Sequence, residues 1–73
     1  MNIKNNKRRK ESQDKIERAF IELLQNHEIK DITVSDLIKM TGLNRSTFYA
    51  NYIDIFDLAD KTREKLENDF SNL

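Results

Sequence analysis

Proline is absent from this chain of 73 residues and glycine occurs once, at Gly42. A meander of strands needs repeated glycine-, proline- or asparagine-rich reversals, and they are missing here. Helices joined by short turns are what such a chain can build, with Gly42 marking the tightest turn. The stretch TVSDLIKMTGLNRSTFYANY, residues 33–52, accordingly reads as two short helices hinged at Gly42.

The signals around that hinge are specific. Thr33 stands as N-cap with Asp36 three residues on, a Thr-x-x-Asp form of the capping box, while Ile32 and Leu37 sit where a hydrophobic staple closes. Val34, Leu37 and Ile38 face inward. Gly42 ends the helix because a left-handed residue is needed there. Leu43 returns to the core, Asn44 caps the next helix, and Phe48 and Tyr52, four apart, fix it to the others. Before this unit, Ile16, Ala19, Phe20, Leu23 and Leu24 give one apolar stripe on a helix from about Glu11 to Asn26. His27 stands near the end of that helix with no second His or Cys, so a contact with the helix C-terminus, rather than a metal, is expected. After it, Ile53, Asp54, Asp57 and Leu58 repeat the staple and cap. Ile55, Leu58 or Ala59, Thr62, Leu66, Phe70 and Leu73 then trace a longer stripe. Its later part has no partner among the preceding helices, which points to a further C-terminal domain.

The expected fold class is therefore all-α: a compact three-helix bundle containing a helix-turn-helix, plus the start of a longer fourth helix. The expected organisation is a flexible basic arm at 1–10, a three-helix core at 11–53 with the helix-turn-helix at 33–52, and a fourth helix at 54–73.

Net charge is zero, with 13 basic and 13 acidic residues, but the charges are segregated. Lys4, Lys7, Arg8, Arg9 and Lys10 place five positive charges in the first ten residues, whereas six acids face three bases from Asp54 onward. Arg45, Ser46, Thr47, Tyr49 and Asn51 remain on or near the outer face of the helix at about 45–51, and no acid lies among them. A purely solvated face would carry more Glu and Lys. An arm of Arg8, Arg9 and Lys10 could reach along phosphates or into a minor groove.

Other classes are disfavoured. A chain this short buries only about 60% of its unfolded surface and cannot also enclose a substrate-sized cavity. Cysteine is absent, which removes disulfides and thiolate metal sites. No paired-carboxylate cleft, nucleophile beside a base or phosphate-binding glycine loop is present, so no enzyme, cofactor or metal is expected. No apolar run approaches the roughly 18 residues of a membrane span, and Glu11-Ser12-Gln13-Asp14 stands where a signal peptide needs an apolar core. A cytoplasmic protein is expected. The deep major groove of an RNA duplex would exclude the second hinge helix.

The segments Thr33-Val34-Ser35-Asp36-Leu37, Thr41-Gly42-Leu43-Asn44 and Ser46-Thr47-Phe48-Tyr49-Ala50-Asn51-Tyr52, followed by Asp54 to Leu58, resemble the N-terminal DNA-binding domain of TetR-family transcriptional regulators. The resemblance covers about residues 11–66. It implies a homodimer on a palindromic operator, nucleoid-associated when bound, acting as a repressor relieved when a small-molecule effector occupies a C-terminal domain. It also implies base contacts from Asn44, Arg45, Ser46 and Thr47, and phosphate contacts from Thr33, Ser35, Tyr49 and Asn51. Ile55 stands where the family usually has a phosphate-pairing lysine, and Ile38 and Thr41 where small alanines are common. Independently of the family, Arg45 is the side chain able to grip guanine O6 and N7 together. The competing reading is a helix-turn-helix-fold protein-interaction module without DNA binding.

Overall fold

The computed structural model describes the backbone of residues 3–71 and the side chains of residues 7–68. Among the described residues the chain forms four α-helices: α1 (Ile3–Leu24), α2 (Val34–Thr41), α3 (Arg45–Asn51) and α4 (Ile55–Ser71), with a 3-10 turn at Ile29–Asp31 between α1 and α2. The all-α expectation holds, with the hinge and the order of helices as read. Side chains of the basic arm before Lys7, and those of Phe70 and Leu73 at the end of the expected stripe, lie outside the described residues.

The segment expected as a flexible arm is helical from Ile3. Lys, Arg, Glu and Gln are good helix formers, and no Gly or Pro interrupts them. Glu11 follows Lys7 by four residues, the spacing at which opposite charges attract on a helix. Among the described side chains of α1 the first buried one is Ile16, so the missing apolar periodicity of residues 7–15 marks helix without a buried face.

One core joins the helices. Ile16, Ala19 and Phe20 of α1, Ile32, Leu37 of α2, Phe48 and Tyr52 at α3, and Ile55 and Leu58 of α4 are buried together. Fully burying each large member contributes about 1.5–3 kcal/mol. This matters most for α3, whose seven residues could not hold a helix alone.

The local devices form as their residues dictate. Thr33 Oγ1 accepts from the Asp36 N–H at 3.1 Å, and Asp36 Oδ2 accepts from the Thr33 N–H at 3.0 Å, a complete capping box. Those bonds hold the Asp36 carboxyl below its usual pKa, the backbone bond from Thr33 contributing most. Gly42 closes α2 in the left-handed region at φ 74, its N–H bonded to the Ile38 carbonyl at 2.9 Å. His27 Nδ1 lies 3.1 Å from the Leu23 carbonyl at the end of α1, as expected.

Two details differ. At the start of α4, Asp54 Oδ1 accepts from the Asp57 N–H at 2.8 Å, but Asp57 Oδ2 reaches back to the Ile53 N–H at 2.9 Å, one residue before the cap. With its amide held there, Ile53 is 78% exposed and makes no staple with the buried Leu58. Leu24, expected in the core stripe, is exposed, because it faces the open side between α1 and α4 while Leu23 packs on the core. Ile21, Leu24, Phe56 and Leu66 instead line an open apolar groove of about 620 Å³ between α1 and α4. Among the described residues, no helix is long and apolar enough to cross a membrane.

Candidate nucleic-acid interface

The outer face of α3 is built from its cap. Asn44, in extended backbone conformation, turns its Oδ1 over the helix start and accepts from the Thr47 N–H at 2.9 Å. The same oxygen accepts from Ser46 Oγ at 3.0 Å and Thr47 Oγ1 at 2.9 Å. One carboxamide oxygen therefore gathers the two hydroxyls of the leading turn. Each hydroxyl keeps lone pairs to accept from an outside donor, and the Asn44 amide nitrogen stays available to donate.

Arg45 is exposed, and its guanidinium reaches the Ser35 hydroxyl at the start of α2. Two residues expected in different roles, one on bases and one on phosphate, thus hold each other. The bond occupies one guanidinium N–H and leaves the others for a planar acceptor pair. It spans ten positions of sequence, across the Gly42 turn, so nothing local announces it.

Thr33 is exposed, but its N–H is occupied by Asp36, so its contribution to an outside anion is limited to its hydroxyl. Asp36 itself places a carboxylate at that helix start, which opposes an anion and tempers the role expected of Thr33. Tyr49 is 53% exposed, its ring seated edge-on against Phe48 with centroids 5.2 Å apart. The ring is anchored while its outer part faces solvent.

Asn51 is turned to a different task. Its Nδ2 donates to the Thr47 carbonyl at 2.9 Å, its Oδ1 accepts from Gln13 Nε2 of α1 at 3.3 Å, and its backbone carbonyl accepts from Lys61 Nζ of α4 at 3.2 Å. This residue ties the trailing end of α3 to the two long helices and is half-buried. The Asn51 carboxamide thus forms part of an internal clasp, with one Nδ2 hydrogen left to donate outward.

Behind α3, Tyr52 is buried with the Lys61 ammonium 5.4 Å from its ring centroid. Burial pushes its phenol well above the usual range, and Glu17, Asp14 and Asp57 add to the effect, so Tyr52 stays neutral. Lys65 bridges α4 to α1 through Asp14 at 3.2 Å and Glu17 at 3.3 Å, which raises its own pKa. Ile55, standing where the family's lysine is expected, is buried in the core and presents nothing outward. Arg8, Arg9 and Lys10 are exposed on the projecting turns of α1.

The structure thus brings exposed Asn44, Arg45 and Ser46 together with half-buried Thr47 and Ser35 in one polar cluster, with Tyr49 farther along α3. Sequence reasoning missed Gln13, Lys61 and Lys65 as the residues that hold α3 and α4 in place. Their signal, polar side chains on the inner flank of α1 and α4, resembles ordinary surface.

No protein-family model, curated protein or solved structure matches this chain.

Proposed function

We propose that the chain binds double-stranded DNA sequence-specifically, as the reading domain of a TetR-like transcriptional regulator with α3 in the major groove. The observation that carries this reading is the leading edge of α3. Asn44, Arg45, Ser46 and Thr47 form a pre-ordered, acid-free set of donors and acceptors on a helix held from behind by Phe48 and Tyr52. A major groove about 12 Å wide admits such a helix. Arg45 reads guanine, Thr47 offers a hydroxyl or its methyl, and Ser35 and Tyr49 set the register on phosphates. The resemblance of residues 11–66 extends this to a homodimer on a palindromic operator, a repressor released by a small-molecule effector outside these residues.

Selection of bound duplexes from a random pool tests the reading. The expected result is an enriched site with half-sites about one helical turn, or a multiple of it, apart. Arg45→Ala should relax base preference at one position per half-site, a loss of about 1–3 kcal/mol of discrimination. Tyr49→Phe should instead weaken all sequences about equally. Recovery of no enriched sequence would refute the proposal.

A protein-interaction module is the second reading, favoured by the exposed apolar groove between α1 and α4 and by zero net charge. Binding to duplex DNA that weakens steeply with salt would separate the two.

A further inference from the structure

We infer that the basic N-terminal segment engages DNA as a rigid helical rod lying across phosphates, with Arg9 and Lys10 as the contacting residues, and not as an arm threaded into the minor groove. This inference rests on the proposed DNA-binding reading and specifies how one part of it works.

Three observations carry it. The segment is the beginning of α1, continuous with the helix that forms the core. An α-helix is about 10–12 Å across with its side chains, whereas the minor groove is about 6 Å wide. A helical segment is therefore excluded from the minor groove and confined to the backbone that borders it.

The second observation is placement. Gln13 donates to Asn51 at the trailing end of α3, so that flank of α1 faces the recognition helix. Arg9 and Lys10 precede Gln13 by four and three residues and share its face. Lys10 lines the same hollow as Tyr52, Lys61 and Lys65, beside the end of α3. Arg8, five residues before Gln13, points about 140° away around the helix. A rod thus assigns unequal roles to adjacent bases, which a tail would not.

Charge is the third. The acids on this flank, Asp14 and Glu17, are paired with Lys65, while Arg9 and Lys10 are exposed. Their charge is free to displace counterions from a phosphate backbone, whatever the base sequence.

The test measures the slope of log K against log salt for the whole chain on two mixed-sequence duplexes, one A·T-rich and one G·C-rich. The variants are R9Q/K10Q and R8Q; glutamine keeps helix propensity, and circular dichroism checks that the helix remains. The expected result is a slope smaller by about 2 for R9Q/K10Q, equal on both duplexes, at about 0.9 per phosphate contact. R8Q should leave the slope unchanged. The rod is overturned if R9Q/K10Q leaves the slope unchanged, if its loss is confined to the A·T-rich duplex, or if R8Q loses as much per charge. A wild-type chain that binds neither duplex at any salt would sink the DNA-binding reading and the rod together, a result distinct from the other three.

Discussion

Two faces of this small bundle are built by opposite rules. On the α2–turn–α3 face, the polar groups are tied to one another: Thr33 to Asp36, Arg45 to Ser35, and Ser46 and Thr47 to Asn44. On the α1–α4 face, large apolar side chains stand open, with Phe56 62% and Leu66 46% exposed. Beneath that face lies Thr62, buried, its hydroxyl without a hydrogen-bond partner among the described residues. The first face is ordered before anything binds; the second leaves surface and a polar group uncompensated. The contrast teaches that local caps satisfy the polar groups of short helices, while an apolar helix face is satisfied only by a neighbour.

The strongest way to break the comparison is to remove what lies behind the ordered face. Phe48→Ala should cost about 3–5 kcal/mol, enough to unfold a domain of this size in urea titration; a loss below 1 kcal/mol would show that α3 is not held by its core side. Taking away the cap comes next. Asn44→Ala should cost about 1 kcal/mol and release both hydroxyls of the leading turn, visible as a lower melting temperature and faster amide exchange at Thr47. On the other face the sign should reverse. Thr62→Val, which replaces the unpartnered hydroxyl by a methyl of similar shape, should stabilise by about 1 kcal/mol in the same titration.

Acid should act selectively on the caps. Asp36 and Asp57 have lowered pKa values in the folded chain, each chiefly from a backbone N–H, of Thr33 and of Ile53 respectively. A lowered folded-state pKa gives stability that is present above the unfolded value of about 4 and lost as pH falls through the folded one. The difference in melting temperature between wild type and Asp36→Asn should therefore shrink between neutral pH and pH 2. The smallest effect is expected at the groove: Phe56→Gln should change stability by no more than about 0.5 kcal/mol, since its side chain is mostly in water already. A large loss there would mean that the apolar face contributes to the fold after all.

Much of the ordered face was legible in the residues alone, because its devices are local. A Thr-x-x-Asp pair, one glycine and a following asparagine fix the ends of α2 and α3 within a few residues of themselves. The open face was less legible. Leu24 and Ile53 have the right type and spacing for burial, yet both are exposed, and periodicity reports a face without saying whether a partner exists. The helical start of α1 escaped notice for a related reason: its charged residues favour helix by propensity while showing no stripe. The role of Asn51 was hidden because its Gln13 partner lies 38 positions away.

That clasp has a mechanical consequence. A helix of seven residues is about 10 Å long, so α3 is a short lever with Asn51 at one end and Asn44 and Arg45 at the other. Swinging it by about 5° about Asn51 would carry the leading edge by about 1 Å, sufficient to spoil a bidentate hydrogen bond. Gln13 of α1 and Lys61 of α4 grip the lever at its fulcrum. The orientation of the Asn44–Arg45 tip is thereby set at the opposite end of the helix, by side chains bonded to Asn51.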